Sequence, residues 1–550
     1  MTTKSFDIVI VGAGSAGCVL AARLSERSDR SVLLIEAGTD YGDITNYPDE
    51  LARAGTIGAA FPGHPNNWSF VGKLTPDRDY PLPRGKVLGG SSAINGTYFI
   101  RGRAADFEKW SALGNTEWSY EKVLPYFIRS EHDLDFDGRY HGSEGPLPIR
   151  RPRAEELRPV SRAFMEACVD AGFPEEPDKN APRPSGIGPI PRNCIDGVRM
   201  NVAVTYLSKA RRRPNLTIQA NTLVRRVLVE NGRAIGVEAE SNGEVIRVHG
   251  DQIVLCAGGI MSPTILLRSG IGPPDDLRAA GITVIQESSG VGQGAMDHPS
   301  VSILYEVENE PNPSKASFMP LQTCLNYTPD GSAEEGELQI SCAAASMSRM
   351  MRRSDTSQGS PLKRLPIYLV HPIAAVRGVR KLSGRYLVSQ ARTRHALHLM
   401  CSLDQEESRG RIRLGSADPS QPPVIELNYL SNGEDLVKMR TNVRTAISLL
   451  HSKAFAPIEP RRIAPRDEDL ESDGQLDQWI RSNLGTSFHT ACTARMGPDT
   501  DQMAVVDQWC QVRGVENLRV VDNSIMPVLV RRGPHATAVM LGERASAFFG

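Results

Sequence analysis

Phe6-Asp-Ile-Val-Ile-Val-Gly-Ala-Gly-Ser-Ala-Gly17 opens the chain and decides its fold. Phe6–Val11 is an apolar run broken only by Asp7, the pattern of a buried strand. Gly12, Gly14 and Gly17 follow at GxGxxG spacing, and the small-residue stretch from Cys18 to Leu24 continues as a helix. A second strand, Ser31–Ile35, ends at Glu36, about twenty residues after the glycines. Gly12 makes the turn, Gly14 lets main chain approach a pyrophosphate, and Gly17 lets helix and strand pack closely. The helix start then offers free amides to phosphate, and Glu36 can accept from ribose hydroxyls. GxGxxG alone is common in tight turns. With strand, helix and acid all in place, the stretch reads as an adenine-dinucleotide site.

The gross numbers set the frame. At 550 residues the chain exceeds one simple core, so two domains, interleaved or not, are expected. A 40% hydrophobic and 23% charged composition is that of an ordinary globular protein. A net charge of −1 gives no global attraction to nucleic acid or anionic membrane. No apolar run reaches the roughly 18 residues of a membrane span. Met1–Lys4 is too short and polar for a signal peptide. Nine cysteines contain no CxxC and no metal-ligand spacing, so no metal is expected and a cytoplasmic setting is.

Along the chain, residues 1–40 form a β-α-β unit and 40–100 are loop-rich. Helices are expected from Ala104, with Phe107, Trp110 and Leu113 on one face, and over Tyr120–Ile128, with Val123, Leu124 and Phe127. Asn215–Gln219, Leu223–Glu230 and Ala234–Glu238 read as antiparallel strands with a turn at Asn231-Gly232. Asp251–Cys256 is a further buried strand. From about 300 to 480, runs such as Val301–Val307, Leu338–Ser341, Leu365–Val370, Ala396–Ser402 and Gly410–Leu414 suggest a mainly antiparallel inserted sheet. Leu518–Val521 and a helix from His535 return to the first pattern. The expected organisation is α/β with an α+β insert. A discontinuous nucleotide domain (1–155, 196–300, 486–550) alternates with a substrate domain (156–195, 301–485). Between 345 and 395, eleven Lys/Arg stand against one acid, Asp355; a solvated loop surface is the favoured reading, with an anionic partner as the alternative.

Pro83-Arg-Gly-Lys-Val-Leu-Gly-Gly-Ser-Ser-Ala-Ile-Asn-Gly96 is an unusual segment. Gly89 to Ser92 let main chain lie flat against a ligand and leave amides pointing outward. Asn95 adds a donor and an acceptor at its end. A glycine-rich hairpin with no ligand is the competing reading.

These segments resemble the glucose–methanol–choline family of FAD-dependent oxidoreductases. Gly85–Asn95 is similar to its first signature and Gly258–Pro273 to its second. Further matches are Gly290-Val-Gly-Gln-Gly294, Asp297-His298-Pro299, Ser408-Arg-Gly-Arg-Ile-Arg-Leu414, Asn428-Tyr-Leu430 and Arg519 to Pro527. They run from Phe6 almost to the last residue, in the family's order. The resemblance implies that Gly12, Gly14, Ser15, Ala16 and Gly17 hold the FAD pyrophosphate, with Glu36 and Ala37 at the adenosine ribose. Val87 and Gly89, Gly90 and Ser91 would follow the cofactor, with Asn95 and Gly96 nearer the isoalloxazine. Val224 would meet adenine through its main chain. Asp522 would sit beside the flavin end, and the amides near Ala536 and Thr537 would face the pyrimidine edge. Ile94 stands where some members carry a histidine that anchors FAD covalently, so non-covalent FAD is expected.

Ser487-Phe-His-Thr-Ala-Cys-Thr-Ala-Arg-Met-Gly497 resembles the stretch around the family's catalytic histidine, which matches His489. His535, eight positions before Glu543, matches the second catalytic position. The implied reaction takes a hydroxyl proton from a primary or activated alcohol while its carbon delivers hydride to flavin N5. Electrons then pass to O2 or another acceptor. Imidazole suits this because its ordinary pKa of about 6.5 lets it take and release a proton near neutrality. Either histidine could take the proton; His489 is assigned as base and His535 as the partner that orients the substrate oxygen. Two departures weaken any inherited substrate: Gly533-Pro534-His535 replaces an Asn-x-Asn, and Thr490-Ala491-Cys492 replaces a His-Pro-x-Gly-Thr continuation. No cage for a quaternary ammonium is legible, so choline is not expected. Phe488 and Tyr429 are candidate apolar walls, or simply core. A lyase on the same scaffold, an NAD-dependent dehydrogenase and a non-enzymatic FAD-binding protein are the alternatives.

Overall fold

The structure, a computed structural model, describes residues 5–307, 320–351, 376 and 395–550. The expected strand Leu365–Val370, and all of the basic run except 345–351, 376 and 395, lie outside the described residues.

The opening strand Ser5–Val11 sits inside a seven-stranded sheet. Val32–Ile35 lies parallel on one side of it, with Ile8 opposite Val32. Glu244–Leu255 lies parallel on the other, with Val11 opposite Leu255. Val32–Ile35 is buried at every position, as an apolar run covered on both faces must be. The meander Thr222–Glu230, Arg233–Ser241 and Glu244–Leu255 is antiparallel, as expected. Its turns, Asn231-Gly232 and Asn242-Gly243, have positive φ at both residues, the geometry two-residue hairpins prefer.

One expectation is corrected. Leu216–Gln219 is not antiparallel to the meander; it extends the sheet parallel to Val32–Ile35. The reason lies in the link that follows it. Asn221, at φ 51°, donates its N–H to Gly38 O, and Thr222 N–H donates to Glu36 O. The chain therefore swings across the end of Val32–Ile35 instead of folding back. Leu518–Val520 completes the sheet, parallel to the second half of Glu244–Leu255.

The first helix, Ser15–Leu24, packs on the last, His535–Ala545. The contact is close: a Cβ on Gly542 would lie 2.8 Å from Ala16 O. Glu543 pins the pair, accepting from Arg23 at 2.9 Å, Arg129 at 3.0 Å and the Tyr206 hydroxyl at 2.6 Å.

A second seven-stranded sheet is antiparallel throughout. It runs Pro460–Ala464, Pro299–Val307, Leu397–Leu403, Leu338–Ala343, Leu321–Tyr327 and Ile187–Pro189, with Gly485–Thr486 against Pro299–Val307. Helix Gly433–Leu450 covers it through Leu436, Met439, Val443 and Ala446. Gly410–Arg413 joins neither sheet. It pairs with Gln293–Ala295 and Val424–Glu426, and so with a hairpin, Phe70–Thr75 and Arg78–Leu82, inside the stretch expected to be loop. Helices Ala104–Ala112 and Tyr120–Ser130 form as expected. Leu113 does not join their core: the helix stops before it, and 46% of it is exposed. All nine cysteines are buried thiols.

Candidate active site

The two glycine segments touch. Gly12, at φ 99°, holds a conformation only glycine adopts readily, and a Cβ there would meet Cys256 O at 2.6 Å. A Cβ on Gly17 would strike Gly12 O at 1.9 Å, so this glycine lets the helix close on the turn. Gly14 is different: the nearest atom to a Cβ built on it is 3.9 Å away, so it faces open space at the helix start. Gly89 N–H donates to Ala13 O at 2.8 Å, and a Cβ on Gly90 would reach Gly14 Cα at 2.7 Å. One cradle is thus built from both segments.

Glu36 is buried beneath it, its oxygens accepting the Ala13 N–H at 2.9 Å and the Gly38 N–H at 2.8 Å. Burial pushes its carboxyl up to about 7. Its first task in the fold is therefore to hold the loop of Ala13 and Ala37–Gly38; only its second lone pairs remain for ribose. Val87 is buried and bridges to Thr39. Ser15 and Ala37 are half-buried, Ala16 is buried, and Ser91 is exposed, its hydroxyl accepting the Gly85 N–H. Val224 stands where the meander's register shifts, which releases main-chain groups beside it. Gly96 faces open space. Asp522 is committed to its neighbours: it accepts from Gly258 N–H, Ser262 hydroxyl and Ser524 N–H. At the last helix, Ala538 N–H is the first to reach a helical acceptor, Pro534 O. Among the described residues the amides of Ala536 and Thr537 have no acceptor, and Thr537 Oγ1 is buried without a partner. Such orphaned donors beside an open glycine cradle fit a dinucleotide flavin. Ile94, buried with Val87 and Ala93, offers no nucleophile.

The imidazoles share one design. His489 Nδ1 lies 2.8 Å from His298 Nδ1, the rings edge to face. His535 Nδ1 is 3.4 Å from both Tyr98 O and Asn95 Nδ2, and its ring meets Phe99 edge-on. His535 Nε2 has no partner. His489 Nε2 has no hydrogen bond among the described residues, and a Cβ on Gly533 would stand 3.6 Å from it. Among the described residues each ring is therefore held at Nδ1 and open at Nε2, and Gly533, two positions before His535, stands against the His489 ring.

Asp297 fixes the His489 loop. Its carboxylate accepts from the N–H groups of His298 at 2.8 Å and His489 at 2.6 Å, and from the hydroxyls of Thr486 and Thr490. Arg84 donates to Thr490 Oγ1, and the Tyr429 hydroxyl meets Thr486 Oγ1 at 2.8 Å. Tyr429 is thus buried scaffold. Phe488 is 40% exposed, tilted against Tyr80. Sequence reading missed His298, Arg84 and Gly533 as site residues. Asp297-His298-Pro299 was the available signal, since it pairs an acid and an imidazole within a matched motif.

Burial lowers all three imidazoles: His489 to about 3, helped by the Arg84 guanidinium; His298 to about 3, with His489 beside it; His535 to about 4. They are neutral bases at physiological pH. The sign for stability follows. A native pKa below the unfolded value means the unfolded chain binds more protons below about pH 6.5, so stability is complete above that pH and falls on acidification. Each such group contributes about 1.4 kcal/mol per pH unit below it, while buried Glu36 and Asp404, both held up at about 7, contribute with the opposite sign over the same range. Urea unfolding of wild type and His298→Asn at about pH 7 and about pH 5.5 isolates the share of one imidazole: the variant should lose about 1 kcal/mol less stability on acidification than wild type; equal changes in both proteins would contradict it.

Glu131, Asp133 and His141 have the spacing of a metal-binding group. The His141 ring nitrogens lie 3.0 and 3.1 Å from Asp133 and Glu131 and 2.9 Å from Asp178. Those acids raise His141 to about 10 against the burial that opposes it. Arg101 and Arg151 supply the remaining positive charge.

A dinucleotide cradle with two open imidazole nitrogens beside a helix start defines an FAD-dependent oxidoreductase acting on CH–OH groups. The chain belongs to the GMC oxidoreductase family: the family's N- and C-terminal models match residues 6–300 and 406–542. It is 37% identical over 541 residues, 98% of this chain and 97% of the other, to an uncharacterized GMC-type oxidoreductase of Rhodococcus erythropolis. It is 35% identical to an oxygen-dependent choline dehydrogenase of Vibrio vulnificus (strain YJ016), covering 99% and 94%. Its structure resembles that of a pyridoxine 4-oxidase from Mesorbium loti, with TM-score 0.85, 30% identity and 99% coverage of each chain.

Proposed function

We propose that the protein oxidises a primary or otherwise activated alcohol to its carbonyl, with FAD held non-covalently and O2 or another small acceptor taking the electrons. The observation that carries this is the pair of imidazoles, each anchored at Nδ1 and open at Nε2. Bound FAD supplies the two-electron acceptor for the hydride leaving the carbinol carbon. Gly12, Gly14 and Gly17, with Gly89 and Gly90, would hold its pyrophosphate. The free amides of Ala536 and Thr537 would favour negative charge at the ring's pyrimidine edge. Ile94 in place of a nucleophile supports the non-covalent attachment.

His489 Nε2 takes the hydroxyl proton, and His535 Nε2 holds the same oxygen in place. Two Nδ1 atoms 2.8 Å apart share a single proton. When that proton belongs to His489, its Nε2 carries the lone pair and acts as base. His298 is then the acceptor, a positioning residue. Replacing it with phenylalanine, which cannot accept, should lower the rate of substrate-driven flavin reduction by ~10–100-fold, as for other partners that fix an imidazole tautomer. The pH profile should move with it, and His298→Asn, which keeps an acceptor oxygen, should restore much of the rate. Equal rates in the Phe and Asn variants would remove His298 from the assignment.

The direct test is anaerobic mixing of the yellow holoenzyme with a panel of alcohols. Bleaching of the flavin is expected with at least one, together with its aldehyde or ketone. Carbonyl formation without bleaching would point to a lyase, and a colourless protein that shifts NADH fluorescence to an NAD enzyme. Peroxide under air identifies O2 as acceptor. No helix among the described residues is long and apolar enough to cross a membrane. Nine buried thiols support a reducing, cytoplasmic setting.

A further inference from the structure

A cleft of about 280 Å³ opens where helix Ala104–Ala112 begins, lined by that helix's first turn and by Lys179, Arg183, Glu335 and Arg532. Its charge is unbalanced: Arg103, Lys179, Arg183 and Arg532 line it, and Glu335 is the single acid among the described lining residues. The deeper charges are accounted for. Glu176, buried, accepts from Lys179 Nζ at 2.8 Å and from Arg532 Nη2 at 2.6 Å. Asp106 is paired with Arg531, and the Asp404 carboxylate receives the Arg532 main-chain N–H.

Arg103 is not balanced in this way. Its side chain is only 7% exposed. Nη2 donates to Arg183 O and pairs with Glu335, whose side chain is half exposed at the mouth. Nη1 stands 3.9 Å from Glu176 Oε1, and Nε has no partner among the described residues. The amides of Ala104 and Ala105 have no acceptor among the described residues, as at any helix start. Burial, with the charge of Arg532 added to it, brings the Arg103 guanidinium down to about 10 against the opposing charges of Glu335, Glu176 and Asp106.

We infer that this cleft binds a small oxyanion with two negative charges, of the phosphate or short dicarboxylate kind. Arg103 Nη1 and the Ala104 and Ala105 amides would take its oxygens, and Arg183 would close over it from the mouth. Glu335 competes for the same guanidinium, as a side chain that leaves when the anion enters. The cleft meets the segment that leads into the catalytic turn through Arg532, which lines it, and through Arg531, whose Nη1 donates to Glu335 O.

The test uses holoenzyme titrated with inorganic phosphate and, separately, with malonate. Both are followed by calorimetry at constant ionic strength, with chloride as the control that reports screening alone. One saturable site is expected for one anion or both, and the better of the two names the ligand class. Arg183→Gln, at an exposed position, should weaken binding by ~10-fold, the value of one lost charge-assisted contact. Glu335→Gln should tighten it several-fold, an opposite sign that general charge screening cannot produce. Arg103→Gln should abolish binding if it folds; the other two variants decide the matter if it does not. Binding that never saturates, or that is the same in wild type, Arg183→Gln and Glu335→Gln, overturns the site.

Discussion

Replacing His489 by alanine is expected to slow alcohol-driven bleaching of the flavin by ~10³-fold, within the range of a general base, while the protein stays yellow. The geometry separates the two outcomes. In the proposed placement FAD would rest on the glycine cradle and the last helix, neither of which the His489 ring supports. The His489 loop is held through main chain, since Asp297 accepts the His489 N–H and not the ring. Alanine keeps that bond. It deletes the ring, the open Nε2 with it, and leaves His298 Nδ1 without its partner. His535→Ala should cost less, because His535 orients the oxygen but does not take its proton. Stopped-flow absorbance at the flavin band measures both variants. A near-wild-type rate in His489→Ala refutes the base assignment, and a greater loss in His535→Ala exchanges the two roles.

Gly533→Val should lower kcat/KM by ~10²-fold or more, with the flavin still bound. A Cβ at this position already stands 3.6 Å from His489 Nε2 and 3.7 Å from Cε1. The methyl groups of valine extend beyond that Cβ toward the place a substrate oxygen needs for its hydrogen bond. Displacing a reactant by about an ångström costs on the order of 10²-fold in a positioned reaction. Gly533→Ala should be milder and should penalise branched alcohols more than unbranched ones. Steady-state kinetics on one branched and one unbranched alcohol tests this, and identical losses on the two would show that Gly533 acts through folding.

The nucleotide half of the molecule was legible because glycine geometry and uninterrupted apolar strands leave few alternatives. Gly12, Gly17 and Gly90 each sit where a side chain would collide with main chain. His489 and His535 were legible only through their flanking motifs, since nothing in local spacing brings residues 46 positions apart to one turn. What sequence could not show was long-range pairing. Leu216–Gln219 has the same composition whether parallel or antiparallel, and its direction was set by hydrogen bonds from Asn221 and Thr222 to Gly38 and Glu36. The Phe70–Leu82 hairpin was hidden by Gly72, Lys73 and Pro81, which read as loop until partners at 424–426 are known. His298 was quoted in a motif but given no role, because a tautomer-setting contact is visible only once two rings face each other.

In the proposed placement of the cofactor, strand Leu518–Val520 and the amides of Ala536 and Thr537 would finish a groove that Gly12 begins. A chain still growing on the ribosome therefore carries an unfinished groove until residues 518–545 have been made. Capture of the vitamin-derived cofactor would then belong to the final moments of synthesis or later, and the newborn protein must hold its first helix in reserve until the last one, which packs on it, arrives.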